Sequence, residues 1–419
     1  MNGTESFELF CWYAFRRSSP NDEYSEVSRM VVDYCGGLPL ALEVLGSFLY
    51  RRSTAEWQST LEKLKRSPHR DIKKVLQISF DGLEDDEVQS IFLDVSCFFI
   101  GMNKDFVELI LDGCELDAKT GINILLERSL LTIRENDKLM MHDLLRDMGR
   151  DLVQEKFPKE PGKWSRLWSP KVVSDVLSKQ SGTKYVEGLT LNVDEAKKVS
   201  FSTKAFEKMQ RLRLLQLNHV QLNGSYEYLS EELRWLCWHG FALEFIPNNF
   251  YLGNLVALDL QYSNLAHVWE EPKISESNID NLPNLDGLSH LKRFILGICD
   301  RLQSIPDLPT NLKWISVIGC RQLKRVPDMS RMPHLFSVVL DDNLLDVSGL
   351  NNLLTNSLRY LYLIHDFSMP TTLNERIIWV ISFEIPSRTF YNYIFLFFVN
   401  NFLCSFWYRK LLTKGVTVC

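Results

Sequence analysis

The chain has 419 residues, 45% apolar and 24% charged, which is the composition of a globular protein long enough for two or three domains. A formal net charge of -6 and an isoelectric point near 5.8 exclude an overall basic field, so nucleic-acid binding would have to rest on a local patch, and none stands out. The nine cysteines form no Cys-x-x-Cys pair and no repeating metal spacing, so they read as reduced core cysteines of an intracellular protein.

The first residues, MNGTESFELFCWYAFRR, carry acid before the apolar run and offer neither a basic leader nor a small-residue cleavage site, so they do not read as a secretory signal. From residue 5 to 150 the pattern is one of short helices. Val27, Met30, Val31 and Tyr34 share a helical face that ends at Gly36-Gly37, a C-cap signal, and Pro39 suits the first turn of a helix carrying Ala41, Leu42, Leu45 and Leu49. A third amphipathic stretch begins with acids and continues through Val88, Ile91, Phe92, Val95 and Phe99. Further helices are expected over 106–111 and 122–130, and then LLTI, REND and KLMM read as strand, polar turn and strand. Helices followed by a hairpin and a flanking helix make a winged-helix unit.

That flanking helix opens at LMMHDLLRDMGRDL, where Met141, Leu144, Leu145, Met148 and Leu152 form a core-facing stripe and leave His142 and Asp143 at its mouth. The mouth of a helix carries unpaired N–H groups that welcome an aspartate cap or a phosphate and not a protonated histidine, so the pair either starts the helix or greets a ligand.

Residues 158–184 are polar and rich in turn formers, as expected of a connector. A period follows. The skeleton Leu-x-x-Leu-x-Leu-x-x-(Asn/Cys)-x-Leu recurs, with substitutions, from Leu212, Leu233, Leu255, Leu291 and Leu312, with weaker copies from Leu335 and Leu358. The starts lie 21, 22, 36, 21, 23 and 23 residues apart, which fits leucine-rich repeats with one insertion-like or degraded interval at 270–290. Each such unit supplies one short strand and a turn whose leucines are buried only by stacking on neighbours. The tail after Arg376 is crowded with aromatics and leaves the register. Its residues 389–408 have the length of a bilayer span, but Asn392, Asn400 and Asn401 make them a weak membrane candidate.

Catalytic signals are missing from this sequence. It contains no Gly-x-x-x-x-Gly-Lys-(Ser/Thr) phosphate loop, no nucleophile in a recognisable elbow, and no metal-ligand spacing. The stretch SVVLDD at 337–342 looks like a magnesium-holding strand but sits in repeat register, and the His142-Asp143 and His365-Asp366 pairs lack the further histidines a metal-dependent hydrolase needs. We expect neither an enzyme nor a metal site. A DNA-binding winged helix is a rival reading, but the wing RENDK is neutral and the nearby helices carry Glu84, Asp85, Asp86, Glu87, Asp105 and Glu108. A membrane-tethered repeat protein is the other rival.

Taken in order, ESFELFCWYAF, CGGLPLALEVLGSFL, IFLDVSCFFIG, MHDLLRDMGR and the repeats make the chain resemble the plant intracellular disease-resistance receptors of the nucleotide-binding leucine-rich-repeat family, in the Toll/interleukin-1-receptor (TIR) branch. The resemblance covers about residues 5–365. It implies an α plus α/β solenoid architecture: a helical subdomain of the nucleotide-binding domain over 1–66, its winged helix over 67–158, a linker over 159–204, leucine-rich repeats over 205–370 and a hydrophobic tail outside the family over 371–419. It further implies an ADP-bound resting state clasped between subdomains, with Gly37, Leu38, Pro39 and Leu40 packing against adenine, His142 touching the β-phosphate and Asp143 positioning the helix start. A TIR domain and a phosphate-loop half would precede Met1, so the sequence reads as N-terminally truncated. Implied partners are proteins, namely a pathogen effector, a guarded host protein or a full-length receptor, with no nucleic acid and no membrane, in the cytoplasm or also the nucleus.

Overall fold

The computed structural model describes residues 3–64, 76–77, 80–194, 196–197, 199–269, 288–324, 329, 332–341, 358, 360–367, 377–384 and 394–396. Two compact units divide the chain, Met1–Glu160 and Pro161–Cys419.

In the first unit α1 (Gly3–Phe15), α2 (Asp22–Cys35), α3 (Pro39–Leu49) and α4 (Thr54–Leu64) bury Phe10, Val27, Val31, Leu42, Leu45 and Trp57 among themselves. The apolar face expected before Gly36 is present, except that Met30 faces solvent and Val32 takes its place in the core. Trp57 anchors the bundle, its indole N–H donating to the Leu49 carbonyl at 3.0 Å and its ring meeting Phe10 edge-on at 5.7 Å. Ser53 and Glu56 exchange hydrogen bonds as a capping box at the start of α4.

The winged helix follows as α5 (Asp86–Asp94), a π-helical turn (Val95–Phe99), α6 (Lys104–Gly113), α7 (Ala118–Glu127), the antiparallel hairpin β1 (Thr132–Arg134) and β2 (Lys138–Met140), and α8 (Asp143–Glu155). Asp85, Asn103 and Asp117 each accept an N–H of the first turn of α5, α6 and α7. Caps of this kind stabilise a helix by about 1 kcal/mol. The wing turns through Asn136 and Asp137, both in the left-handed region that Asn and Asp tolerate, as the sequence suggests. Close packing of α8 is set by Gly149, where an added Cβ would stand 2.8 Å from Ser96 Oγ and 3.0 Å from the Phe92 ring.

In the second unit the expected linker over 159–204 is a correction. A 3₁₀ turn (Pro161–Lys163), strand β3 (Arg166–Leu167), helix α9 (Pro170–Ser178), strand β4 (Gly188–Asn192) and strand β5 (Val199–Ser202) occupy it, with Trp164, Val173, Val176 and Leu177 buried. Its few apolar residues are spaced three and four apart on α9, enough to cover the start of a sheet despite the polar average. The sheet continues through β6 (Leu214–Asn218), β8 (Trp235–His239), β9 (Ala257–Asp259), β10 (Arg293–Gly297), β11 (Trp314–Ile318), β12 (Ser337–Asp341) and β13 (Tyr360–Phe367), each parallel to the one before it. Every repeat start from Leu212 to Leu358 lies two residues ahead of its strand, and β4 adds a unit, entered at Val186, that the leucine pattern does not reveal. A separate parallel pair joins β5 to β7 (Val220–Asn223).

Register is set by burial. Leu189, Leu215, Leu236, Leu258, Phe294, Ile315 and Val338 pair across successive strands as one row, and all seven are buried. A slip of one residue would turn the row to the opposite face. The following row, Thr190, Gln216, Cys237 and Asp259, lies on that other face. Beyond the expected repeat boundary at 370, β14 (Ile377–Glu384) and β15 (Ile394–Leu396) continue the sheet antiparallel, in keeping with the loss of period. Of the membrane candidate 389–408 only Ile394–Leu396 is described, as strand, and no helix among the described residues is long and apolar enough to cross a membrane. Most of the 270–290 interval and Asp342 lie outside the described residues.

Truncating the buried row tests its weight: Leu215→Ala, at a fully buried β6 position, is expected to lower stability by about 3 kcal/mol, read as a shift of the guanidinium unfolding midpoint.

Candidate functional site

The corner between α2 and α3 meets the mouth of α8, and both lie in the first unit. Helix α2 ends because Gly36 enters the left-handed region (φ 53°), its N–H returning to the carbonyls of Val32 and Asp33 at 3.1 Å each. Gly37 follows with φ 79°, Leu38 is the extended cap residue, and Pro39 opens α3, where its missing N–H costs nothing. Leu38 is half-buried and Pro39 exposed; Leu40 is the second residue of α3.

His142 is the cap residue of α8, and its imidazole faces two ways. Nδ1 accepts the Leu144 N–H at 3.1 Å, and Nε2 lies 2.8 Å from the Cys35 carbonyl, the last of α2. A backbone N–H can only donate, so Nδ1 carries no proton; in the neutral ring Nε2 does, and it donates to Cys35. The Cys35 carbonyl also accepts Leu38 N–H at 2.9 Å, so one histidine closes an orphan donor of α8 and joins the last carbonyl of α2 as its second partner. Glycine at 36 is required by this contact, because a Cβ there would stand 2.5 Å from Nε2.

His142 starts the helix, and the cap belongs to the histidine. Asp143 does not cap. Its carboxylate is 75% exposed and pairs with Arg146 Nη1 at 2.6 Å, while the same guanidinium holds Asp147 through Nε and Nη2 at 2.9 and 2.8 Å. Aspartate at the first turn acts on the helix dipole rather than as a cap, a distinction that the His-Asp dipeptide leaves open. Sequence reasoning gave Gly36 as the helix end, which it is, but missed Cys35 and the close approach of Gly36 to the His142 ring. Cys35 acts through its carbonyl, which leaves no mark in a sequence, whereas the doubled glycine after an apolar helix was a usable signal of close approach.

Burial shapes the remaining groups. It pushes the Cys35 thiol up to about 12, and, joined by the carboxylates of Asp147 and Asp143, it holds the Tyr34 hydroxyl protonated. Burial also pulls the Arg150 guanidinium down, and its Nε donates to the Ser96 carbonyl at 3.2 Å. The corner thus offers no thiolate and no paired nucleophile and base.

Comparison with known proteins supplies the context. The model of the Roq1-like disease resistance protein winged-helix domain matches residues 84–157. Disease resistance protein RUN1 of Vitis rotundifolia is 37% identical over 352 residues, which cover 77% of this chain and 26% of that protein. This chain belongs to the plant disease-resistance protein family. Disease resistance protein RPV1 of the same species is 37% identical over 351 residues, 77% of this chain and 24% of that one, and TMV resistance protein N of Nicotiana glutinosa is 36% identical over 324 residues, 77% and 27%. The chain spans about a quarter of the length of the curated relatives it matches. The family motifs that named the corner and the histidine fall on two sides of a single hydrogen bond.

His142→Ala removes both ring contacts, each worth about 1 kcal/mol. Amide exchange is expected to quicken about tenfold at Leu38 and Leu144 and to stay unchanged at Leu258. Equal acceleration at all three would show that the ring supports the whole fold rather than this corner.

Proposed function

We propose that the chain is the switch-and-sensor part of a TIR-branch plant immune receptor, working by contact rather than catalysis. The observation that carries this reading is the His142–Cys35 hydrogen bond, which ties the glycine corner of the helical bundle to the cap of the winged helix. A contact made by one ring and one carbonyl has two discrete states, closed and open, and whatever favours either state biases the switch. The parallel sheet of the second unit is, in this reading, a leucine-rich-repeat solenoid, and its polar face receives the protein partner, which is a pathogen effector, a guarded host protein or a full-length receptor. The compartment is the cytoplasm, with the nucleus a further site of action.

The nucleotide of this reading is ADP. Exposed Pro39 and half-buried Leu38 give an apolar edge suited to the adenine face, and Gly37 keeps the backbone open beside it. The phosphate end is less well provided. Both nitrogens of His142 are engaged, so a phosphate oxygen would have Nε2–H only in exchange for the Cys35 carbonyl, and Arg146 is held by two carboxylates. The residues present therefore fit one side of a nucleotide clasp. Bound nucleotide would supply charge and stacking surface; this chain supplies the apolar shelf and a single N–H that reports whether the corner is closed.

Calorimetric titration of ADP into the purified chain, with His142→Ala alongside, tests the assignment. No saturable heat is expected below about 1 mM, a ceiling of about -4 kcal/mol, because a shelf and one shared donor offer little against the entropy of binding. Saturable binding abolished by His142→Ala would make the corner a complete nucleotide site. Saturable binding indifferent to His142→Ala would overturn the role given to that residue.

A further inference from the structure

We propose that Cys237, His239 and Asp259 form a site for a divalent transition-metal ion of the zinc class on the polar face of the parallel sheet. Cys237 and His239 stand two residues apart on β8, so both project from one face, and the register places Asp259 of β9 directly beside Cys237. One ligand atom from each lies within 4.8 Å of the other two. His239 Nε2 is 3.4 Å from Cys237 Sγ and 3.2 Å from Asp259 Oδ1. Tetrahedral zinc, with bonds of about 2.0 Å to nitrogen and oxygen and about 2.3 Å to sulfur, sets donor–donor edges of about 3.3 and 3.6 Å. The two edges that meet at His239 are thus close to those of a zinc tetrahedron and the third is no longer than 4.8 Å, and the set of thiolate, imidazole and carboxylate suits zinc rather than the all-oxygen preference of magnesium or calcium.

The surroundings support the same use. The Gln216 side chain hydrogen-bonds the Cys237 sulfur, and Thr190 Oγ1 donates to Gln216 Oε1 at 2.9 Å, which turns the amide NH₂ toward the thiol. Gln261 donates to both oxygens of Asp259, from its backbone at 3.3 Å and its side chain at 3.1 Å, and Tyr262 meets the His239 ring edge-on at 5.9 Å. Such outer contacts orient metal ligands. Arg293 of β10 lies within electrostatic reach of Asp259 and balances its charge when no ion is bound. His239 and Asp259 are 23% and 15% exposed, so the ion has a route from solvent and a fourth position open to water or to a partner's side chain.

The test is a cobalt(II) titration of the full chain followed by displacement with zinc(II). One equivalent of cobalt is expected to raise a thiolate-to-metal charge-transfer band in the near ultraviolet and tetrahedral d–d bands in the visible, all lost on adding zinc. Cys237→Ser should abolish the charge-transfer band, and Cys299→Ser and Cys320→Ser should keep it. Asp259→Asn, which leaves the buried thiol in place, should keep the band while weakening affinity at least about tenfold, with an unchanged far-ultraviolet dichroism spectrum. No band from the unsubstituted chain, or a band that survives Cys237→Ser, would overturn the proposal and leave the trio a hydrogen-bonded cluster.

Discussion

Short elements leave many backbone groups without partners, and satisfying those groups organises this molecule. In the first unit each helix is brief, so its ends are a large share of its length. Side chains of Asp85, Asn103, Asp117 and His142 take up donors at the helix starts, and Gly36 turns the chain so that α2 closes on itself. Two of these caps also reach beyond their own helix: Asn103 Nδ2 donates to the Asn136 carbonyl of the wing at 3.3 Å, and the second nitrogen of His142 meets the last carbonyl of α2. Capping and tertiary contact are therefore one interaction, and loss of the ring exposes polar groups on both sides.

The second unit meets the same demand by repetition. Each strand lends its N–H and C=O groups to the next in parallel register, and the row from Leu189 to Val338 makes that register the one that buries apolar surface. Once one face is committed to leucine, isoleucine, valine and phenylalanine, the other is free to carry chemistry. Thr190, Gln216, Cys237 and Asp259 stand in line there, so a hydroxyl, an amide, a thiol and a carboxylate drawn from positions up to 69 residues apart become neighbours.

The two units of this disease-resistance family member present two kinds of polar arrangement. One is internal, an imidazole against a carbonyl, and either making or breaking it changes no covalent bond. The other faces outward, where a polar sheet face with partly exposed His239 and Asp259 offers hydrogen bonds that a partner can take up. Neither arrangement activates a nucleophile, and the buried thiols of Cys35 and Cys237 are held protonated by their surroundings.

The sequence by itself determined the amphipathic helices before and after the glycine corner, the wing and the seven strands that follow the repeat starts from Leu212 to Leu358, because helical spacing, turn residues and a recurrent leucine skeleton are local patterns read within one element. Family motifs also pointed to the glycine corner and to His142. Only the tertiary structure decided what His142 touches, since its acceptor is a backbone carbonyl 107 residues earlier. It alone filled the stretch expected as a linker, whose polar average hides the spaced valines of α9 and the start of a sheet. It alone joined Cys237 and His239 to Asp259, because the nearest neighbour across a parallel sheet lies one repeat away in sequence and no short motif spans that gap. Local patterns fix which elements form; hydrogen-bond register and burial fix which of their side chains meet.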